Sequence, residues 1–443
     1  MNELISLVKL IGSNKINQID LFDGRNNLPY KTRKLYDGIL SGKITTEEDA
    51  ITIIYNSTKD KPKYKKLESR LKKRLLNTLF FLDPNPTAFS ELRKAKYTVA
   101  REFNLINILR ERNDQQNTIS LATKTYKKAK KYELTEYSLL IARVLYAHYS
   151  YTRPTKKVML HISDEIEQLE KDLSAELLAE SYYNQVSYVY VTKKSKFNPA
   201  ELEKLKGFVD HLMKIKDKYN SFKFRLDTYN IITSYYILSD DFKNTILFCK
   251  EALTYFEGKP YQDNLAKFTF RTNIVLASIG NRNFELAEEY LNENLKLVTK
   301  GTLNWFYQCN YLQILYTTLG KFQELYSLVL DVVSMKNYKK FLLQNEYWNV
   351  IEAYVHFLIR MEKIDPELSA SGKKLRPFSL TRFLNDVPKF SKDKRGLNTS
   401  ILIIQFLFLL VDRKYSKLID RLDAIKQYSY RYLKNDESYR ANL

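Results

Sequence analysis

The chain has 443 residues, of which 44% are apolar and 28% are charged, proportions that fit a globular protein and exclude global disorder. It contains only 11 glycines and 10 prolines, too few for the tight turns of a β-sandwich or the glycine-rich loops of a doubly wound fold. The net charge of +21 attracts polyanions such as nucleic acid, although Lys, Asn, Ile and Tyr are abundant together, as in proteins of AT-rich bacteria. Composition therefore predicts an all-helical protein and leaves open whether its charge serves binding.

The first 88 residues are predicted to form a small helical region. Apolar residues recur at helical spacing over 4–11 and 30–40, and Thr45–Glu48 has the hydroxyl cap and acids of a helix start. A strongly amphipathic basic helix is predicted over 64–82. Asp83–Pro86 ends it, because proline cannot continue a helix. We therefore place a domain boundary near residue 88.

The remaining residues, 89–443, show an internal repeat. Three segments align with one another: 229–252, 271–294 and 309–332. Each has an apolar helix, a short polar turn and an aromatic residue that opens a second helix, with apolar residues three, seven and ten positions later. A fourth copy is visible over 401–425. Further helices are predicted over 137–149, 176–191 and 200–219, and Ala122, Tyr126 and Ala129 have the spacing of another second helix.

This pattern resembles the tetratricopeptide repeat, in which small residues along the second helix let two helices approach closely. Ala252 and Ala287 match the small positions, whereas Thr245, Asn294 and Leu325 depart from them. The opening aromatics, Phe242, Phe284 and Phe322, are 42 and 38 residues apart, against about 34 in the family. The resemblance implies a right-handed solenoid of stacked antiparallel helical hairpins, with a groove that binds a partner.

No pattern of catalytic or metal-binding residues is present in the sequence. The sequence has four histidines, His148, His161, His211 and His356, and it contains no CxxC or HExxH motif. Gly38–Thr45 resembles a phosphate-binding loop, but it has three residues between its glycines instead of four, and Ile44 stands where a hydroxyl is needed. A helix that ends at Gly42 explains this segment better. We therefore expect a protein that is not an enzyme and needs no cofactor or metal.

The two cysteines and the apolar runs indicate a location in the cytoplasm. Cys249 and Cys309 lie in apolar helical stretches and are expected to be buried reduced thiols. Glu3 and Lys9 make the start of the chain unlike a secretory signal. The longest apolar run, Ile401–Val411, falls short of the roughly 18–20 residues that cross a bilayer.

Basic clusters are the features of the sequence that favour nucleic acid as a partner. Phosphate groups need only such charges, and interleaved tyrosines such as Tyr64, Tyr126 and Tyr132 can stack on unpaired bases or pack a core. The cluster members expected to bind a polyanion are Lys65, Lys66, Arg70, Lys72, Lys73, Lys127, Lys128, Lys130, Lys131, Lys373, Lys374 and Arg376.

Three asparagines are candidates for binding a partner protein. Asn230, Asn273 and Asn310 recur in corresponding stretches of the first helices, although Asn273 is offset by one position. Amides at such positions can bind the backbone of an extended segment or helix held in the groove. The leading interpretation is a binding scaffold for another protein, and the alternative is a nucleic-acid-binding helical-repeat protein. The partner's identity and the oligomeric state stay open.

Overall fold

The fold is described from a computed structural model. The residues that it describes are 29–57, 59–79, 90–152, 154–192, 197–261, 264–335, 340–368, 372, 374–386, 397–419, 421–422 and 426. Within these ranges the chain forms helices and the turns between them, and none of it forms a β-strand. The predicted all-α class is confirmed.

Seventeen α-helices lie within the described residues. In chain order they are α1 (Tyr30–Leu40), α2 (Glu47–Tyr55), α3 (Lys61–Thr78), α4 (Glu91–Glu111), α5 (Gln115–Lys131), α6 (Thr135–Ala147), α7 (Lys156–Thr192), α8 (Pro199–Ile215), α9 (Phe222–Leu238), α10 (Phe242–Glu257), α11 (Asn264–Gly280), α12 (Phe284–Leu297), α13 (Leu303–Thr318), α14 (Phe322–Val333), α15 (Leu342–Arg360), α16 (Leu380–Asp386) and α17 (Leu397–Val411). A π-helical turn, His148–Thr152, follows α6, and a 3-10 turn, Pro366–Leu368, follows α15.

The bounds of several predicted helices differ in the structure. The basic helix expected over 64–82 begins at Lys61 and ends at Thr78, because Pro62 lies in the first turn, where its missing N–H is not needed. The helix expected over 176–191 is the second half of α7, which is 37 residues long. The apolar stripe at 4–11 and the predicted boundary at 83–88 lie outside the described residues.

The chain divides into two compact units. The first consists of Met1–Leu178, Tyr219–Phe224 and Pro260–Asp263. The second consists of Ala179–Lys218, Arg225–Lys259 and Asn264–Leu443. Each unit is described separately below.

Helices α1 to α3 form a small apolar cluster in the first unit. Leu35, Tyr64 and Leu71 lie at its centre and are almost completely buried. The start of α2 is capped as expected: Thr46 Oγ1 accepts from the N–H of Asp49, and Asp49 Oδ2 accepts from the N–H of Thr46. The N–H and the hydroxyl of Thr45 also donate to Asp49 Oδ2. Together with the bonds from Thr46, these hydrogen bonds lower the pKa of Asp49.

The same helix-ending turn occurs seven times among the described residues. In each, the N–H of a residue in the left-handed conformation donates a hydrogen bond to the carbonyl oxygen three residues earlier. The N–H of the following residue donates to the carbonyl oxygen five residues before that following residue. In six of these turns a helix begins two residues after the left-handed residue. The seven left-handed residues are Asn113, Glu133, Asp240, Arg282, Gly320, Glu362 and Arg413.

Consecutive helices pack in a repeated order. In the first unit α4 contacts α5 and α6, and α5 contacts α6. In the second unit α11 contacts α12 and α13, α12 contacts α13, α13 contacts α14, and α14 contacts α15. Within each unit, these helices therefore pack against their neighbours in chain order.

Aromatic rings and small residues fill the spaces between the hairpins of the second unit. The rings of Phe256 and Phe270 are stacked with centroids 5.7 Å apart, which joins α10 to α11. Ala252 and Ala287, the small residues of the repeat, are completely buried. Cys249 and Cys309 are buried and make no disulfide, as expected, and burial raises the pKa of both thiols.

Candidate functional site

The second unit contains two helical stretches without charged residues. Helix α13 contains no Asp, Glu, Lys or Arg in its 16 residues, and neither does the last part of α7, residues 181–192. The exposed residues of these stretches are therefore uncharged, in a chain whose net charge is +21. We call Tyr190, Tyr307, Asn310, Tyr311 and Ile314 the tyrosine surface.

Helix α13 is uncharged, and its apolar residues lie on both its buried and its exposed sides. One side is buried in the core through residues such as Phe306, Cys309 and Leu315. On another side, Tyr307 is 46% exposed and Ile314 is 38% exposed. Exposed apolar groups that lie together are typical of an interaction site.

The tyrosines of this surface lie close to one another. Burial raises the pKa of Tyr311, and the neighbouring hydroxyls of Tyr190 and Tyr307 raise it further. Tyr190 belongs to α7 and is 121 positions away from Tyr311 in the sequence (311 − 190). The fold thus places the uncharged end of α7 beside α13. A tyrosine combines a large apolar ring with a hydroxyl, a combination that suits protein interfaces.

The three candidate asparagines occupy two different helix positions. Asn230 and Asn310 each lie ten residues before the left-handed residue of their hairpin, whereas Asn273 lies nine residues before Arg282. All three are half-buried. The side-chain Oδ1 of Asn310 is shielded from solvent and has no hydrogen-bond partner among the described residues. A rotation of this side chain toward the N–H of a bound segment would therefore gain a hydrogen bond.

A buried amide cluster underlies the tyrosine surface. Thr272, not Asn273, is the residue equivalent to Asn230 and Asn310. Asn294 Nδ2 donates to Thr272 Oγ1 at 3.0 Å and to Gln308 Oε1 at 3.3 Å, and Gln308 Nε2 donates to Thr272 Oγ1 at 3.3 Å. The cluster connects α11, α12 and α13. It explains why Asn294 stands where the repeat pattern expects a small residue: its amide fills the gap between the helices with hydrogen bonds.

No protein-family model matches this sequence, and none of the curated proteins matches it.

The basic cluster of α3 contains paired and unpaired cations. Lys65 lies 3.2 Å from Glu47 and 3.1 Å from Glu68, and is therefore held in ion pairs. Lys72 also has a polar partner. Four exposed cations have no ion pair within the described residues, and they follow one side of the helix at spacings of four, three and one: Lys66, Arg70, Lys73 and Arg74.

The other predicted polyanion sites are less uniform. Lys128 lies 3.3 Å from Glu102 and Lys130 lies 3.3 Å from Glu165, whereas Lys127 and Lys131 are exposed. Lys374 is paired with Glu367, and Arg376 is exposed. Lys373 lies outside the described residues.

The tyrosines interleaved with these basic clusters take part in packing. Tyr64 is completely buried, and Tyr126 donates a hydrogen bond of 2.7 Å to Glu165. The ring of Tyr132 packs against Tyr261 with centroids 5.2 Å apart. Tyr64 is thus closed to a nucleic-acid base.

Glu352, His356 and Arg360 are spaced four residues apart along one side of α15. They were not identified as a group from the sequence. Burial raises the pKa of Glu352, and the charge of Arg376 opposes this shift. Burial and the nearby Arg360 lower the pKa of His356 to about 4, and the ring stacks on Phe378 with centroids 5.1 Å apart. His356 is therefore neutral at pH 7.

The described residues show neither a metal-binding group nor a membrane-spanning helix. They contain no group of three or more His, Cys, Asp or Glu side chains arranged to hold a metal ion. None of the helices in the described part combines the length and the apolar character needed to span a membrane.

Proposed function

We propose that the protein is a non-enzymatic binding scaffold that holds a segment of a partner protein against the tyrosine surface. The observation that carries the proposal is the exposure of Tyr307 and Ile314 on an uncharged helix, beside Tyr190 and the unpaired amide oxygen of Asn310. We propose further that the hairpins continue into a right-handed solenoid of the tetratricopeptide type, with the tyrosine surface in its groove. The repeated turns and the order of helix contacts support this extension.

The chemistry of the tyrosine surface suggests the character of the bound segment. A partner rich in charge would leave its charges without counterions on α13 and would have to remove them from water. A neutral segment with apolar side chains avoids this cost, and its backbone N–H groups can reach the amide of Asn310. Interface tyrosines contribute strongly to affinity because they bury much area and lose little side-chain entropy.

The proposal is tested by capture of partners from the native cell after nuclease treatment. The double variant Tyr307→Ser/Ile314→Ser is compared with Leu247→Ser, which removes a 58% exposed leucine from α10. We expect the unaltered protein and the control to retain the same stoichiometric protein partner and the double variant to lose it. Truncation of a hot-spot residue typically removes about 2 kcal/mol or more of binding free energy, and a loss of that size lowers the affinity roughly thirtyfold. Equal capture by all three, with unchanged circular dichroism, would contradict the proposal.

A second candidate function is nucleic-acid binding by the unpaired cations of α3. The observation that favours it is the stripe formed by Lys66, Arg70, Lys73 and Arg74, with no ion pair inside the described residues. The matched test exploits neighbouring lysines: Lys66→Gln removes an unpaired cation, and Lys65→Gln removes a paired one. If the stripe binds a duplex oligonucleotide, Lys66→Gln lowers the salt dependence of affinity by about 0.9 per lost phosphate contact, and Lys65→Gln changes it less.

A further inference from the structure

The second unit contains a cleft that no part of the proposed scaffold function uses. Residues of α16, of α17 and of the helical segment after it, 415–419 and 421–422, enclose a volume of about 470 Å³ together with Lys414. This lies within the roughly 300–1,000 Å³ that is usual for sites of small ligands. Its lining includes three leucines and three polar side chains: Leu380, Leu384, Leu409, Gln405, Lys417 and Arg421.

Gln405 holds an arginine in place at one side of the cleft. It is 8% exposed and lies within the most apolar helix, α17, where a polar side chain needs a partner. With its amide oxygen oriented toward Arg421, Oε1 accepts hydrogen bonds from Nε and Nη2, each 3.1 Å long. A guanidinium has five N–H donors, so three remain for a ligand.

A second cation lies one helical turn before Arg421. Lys417 is exposed at the cleft and has no ion pair within the described residues. Lys414, which also lines the cleft, is different, because its Nζ is bonded to Asp412 at 2.8 Å. Asp420 lies outside the described residues. The charge that faces the cleft from the described side chains is therefore positive, and it adjoins a leucine wall.

We propose that this cleft binds a small aliphatic carboxylate. Its carboxylate would accept hydrogen bonds from Arg421 and Lys417, since arginine and carboxylate geometries match and charge-assisted hydrogen bonds are strong. Its hydrocarbon chain would lie against Leu380, Leu384 and Leu409. An anion without an apolar body would leave the leucines in water, and an alcohol of the same length would leave the cations unpaired.

The test uses octanoate as the probe and measures binding to the full chain by calorimetry, with sulfate and octanol as comparison compounds. We expect octanoate to bind and both comparison compounds to bind at least tenfold more weakly. Arg421→Gln and Lys417→Gln should each weaken octanoate binding roughly tenfold. Arg413→Gln, which removes an exposed cation that does not line the cleft, should leave it unchanged.

Three outcomes would overturn the proposal: no binding of octanoate at millimolar concentration, equal binding of octanol, or equal binding by Arg421→Gln and the unaltered protein. Thermal unfolding of each variant without ligand shows whether it is folded. If Arg421→Gln fails to fold, Lys417→Gln carries the test, because Lys417 is exposed and has no structural partner in the described residues.

Discussion

The effect of adding a Cβ atom at a glycine depends on the atoms around it, as Gly280 and Gly207 show. A Cβ at Gly280, near the end of α11, would lie 2.6 Å from the ring of Phe242, the aromatic residue that opens α10. A Cβ at Gly207, in the middle of α8, would meet no atom within 4 Å. The absence of a side chain at Gly280 therefore allows two neighbouring hairpins to approach, whereas Gly207 only makes its helix more flexible.

Substitution of these two glycines should have opposite effects on stability. Gly207→Ala should raise the free energy of unfolding by roughly 0.5–1 kcal/mol, because alanine loses less backbone entropy in a helix. Gly280→Ala should lower it by about 1–2 kcal/mol, since the displaced ring of Phe242 outweighs the same gain. Urea unfolding followed by circular dichroism measures both, and a stabilising Gly280→Ala would show that the hairpins pack less closely there.

His356 should make the second unit sensitive to acid. Its pKa is about 4 in the folded protein, against about 6.5 in an unfolded chain. Between these values the unfolded state binds the extra proton, so stability is lost as the pH falls. Lowering the pH from 7 to 4.5 should remove roughly 2 kcal/mol through this residue.

The fluorescence of Trp305 and Trp348 reports this loss, because both tryptophans of the chain belong to the second unit. Urea unfolding at the two pH values is compared for the unaltered protein and His356→Gln. The variant should lose less stability at low pH. Identical losses in the two proteins would mean that His356 is not the responsible group.

At the scale of elements, the left-handed turns separate what the sequence predicts from what it does not. A glycine in such a turn is a recognisable signal, and Gly320 provides it. The other six left-handed residues are Asn113, Glu133, Asp240, Arg282, Glu362 and Arg413, most of which have no preference for this conformation. Hydrogen bonds and packing of the flanking helices impose it, so the turn positions at Glu133 and Glu362 could not be predicted locally.

Glycine should therefore be favourable at one of these positions. Arg282 is exposed and has φ = 56°. Arg282→Gly should stabilise the protein by about 0.5–1 kcal/mol, because it removes the steric cost of a side chain in the left-handed region. Gly320→Ala should destabilise it by about 1 kcal/mol for the same reason. Thermal unfolding of the two variants gives the comparison, and destabilisation by Arg282→Gly would contradict this explanation of the turn.

Helix positions were easier to predict than helix lengths. The periodicity of Tyr30–Leu40 and of residues 401–411 was sufficient because apolar residues mark one side clearly. The sequence does not predict the first half of α7, since Lys156–Ala175 is mostly polar. Its helix is stabilised by apolar contacts of Ile162 and Leu169, which depend on tertiary structure.

At the scale of the whole molecule, local sequence indicated candidate residues but not their grouping. Asn310 could be selected from the repeat pattern. The closeness of Tyr190 to Tyr311 could not, because it depends on the course of α7 over a long sequence separation. Similarly, the sequence alone does not distinguish Lys65, which forms ion pairs, from Lys66, which forms none within the described residues. The net charge of +21 is thus distributed unevenly, and the tyrosine surface is the uncharged part that the scaffold proposal depends on.

The central claim is that a partner protein contacts the tyrosine surface, and site-specific photo-crosslinking in the native cell tests it most directly. A benzophenone side chain replaces Tyr307 in one variant and Leu247, on α10, in the control. The scaffold account predicts one dominant crosslinked protein at position 307, unaffected by nuclease, and none at 247. Crosslinks at 307 that are absent, that join nucleic acid alone, or that match those at 247 would contradict it.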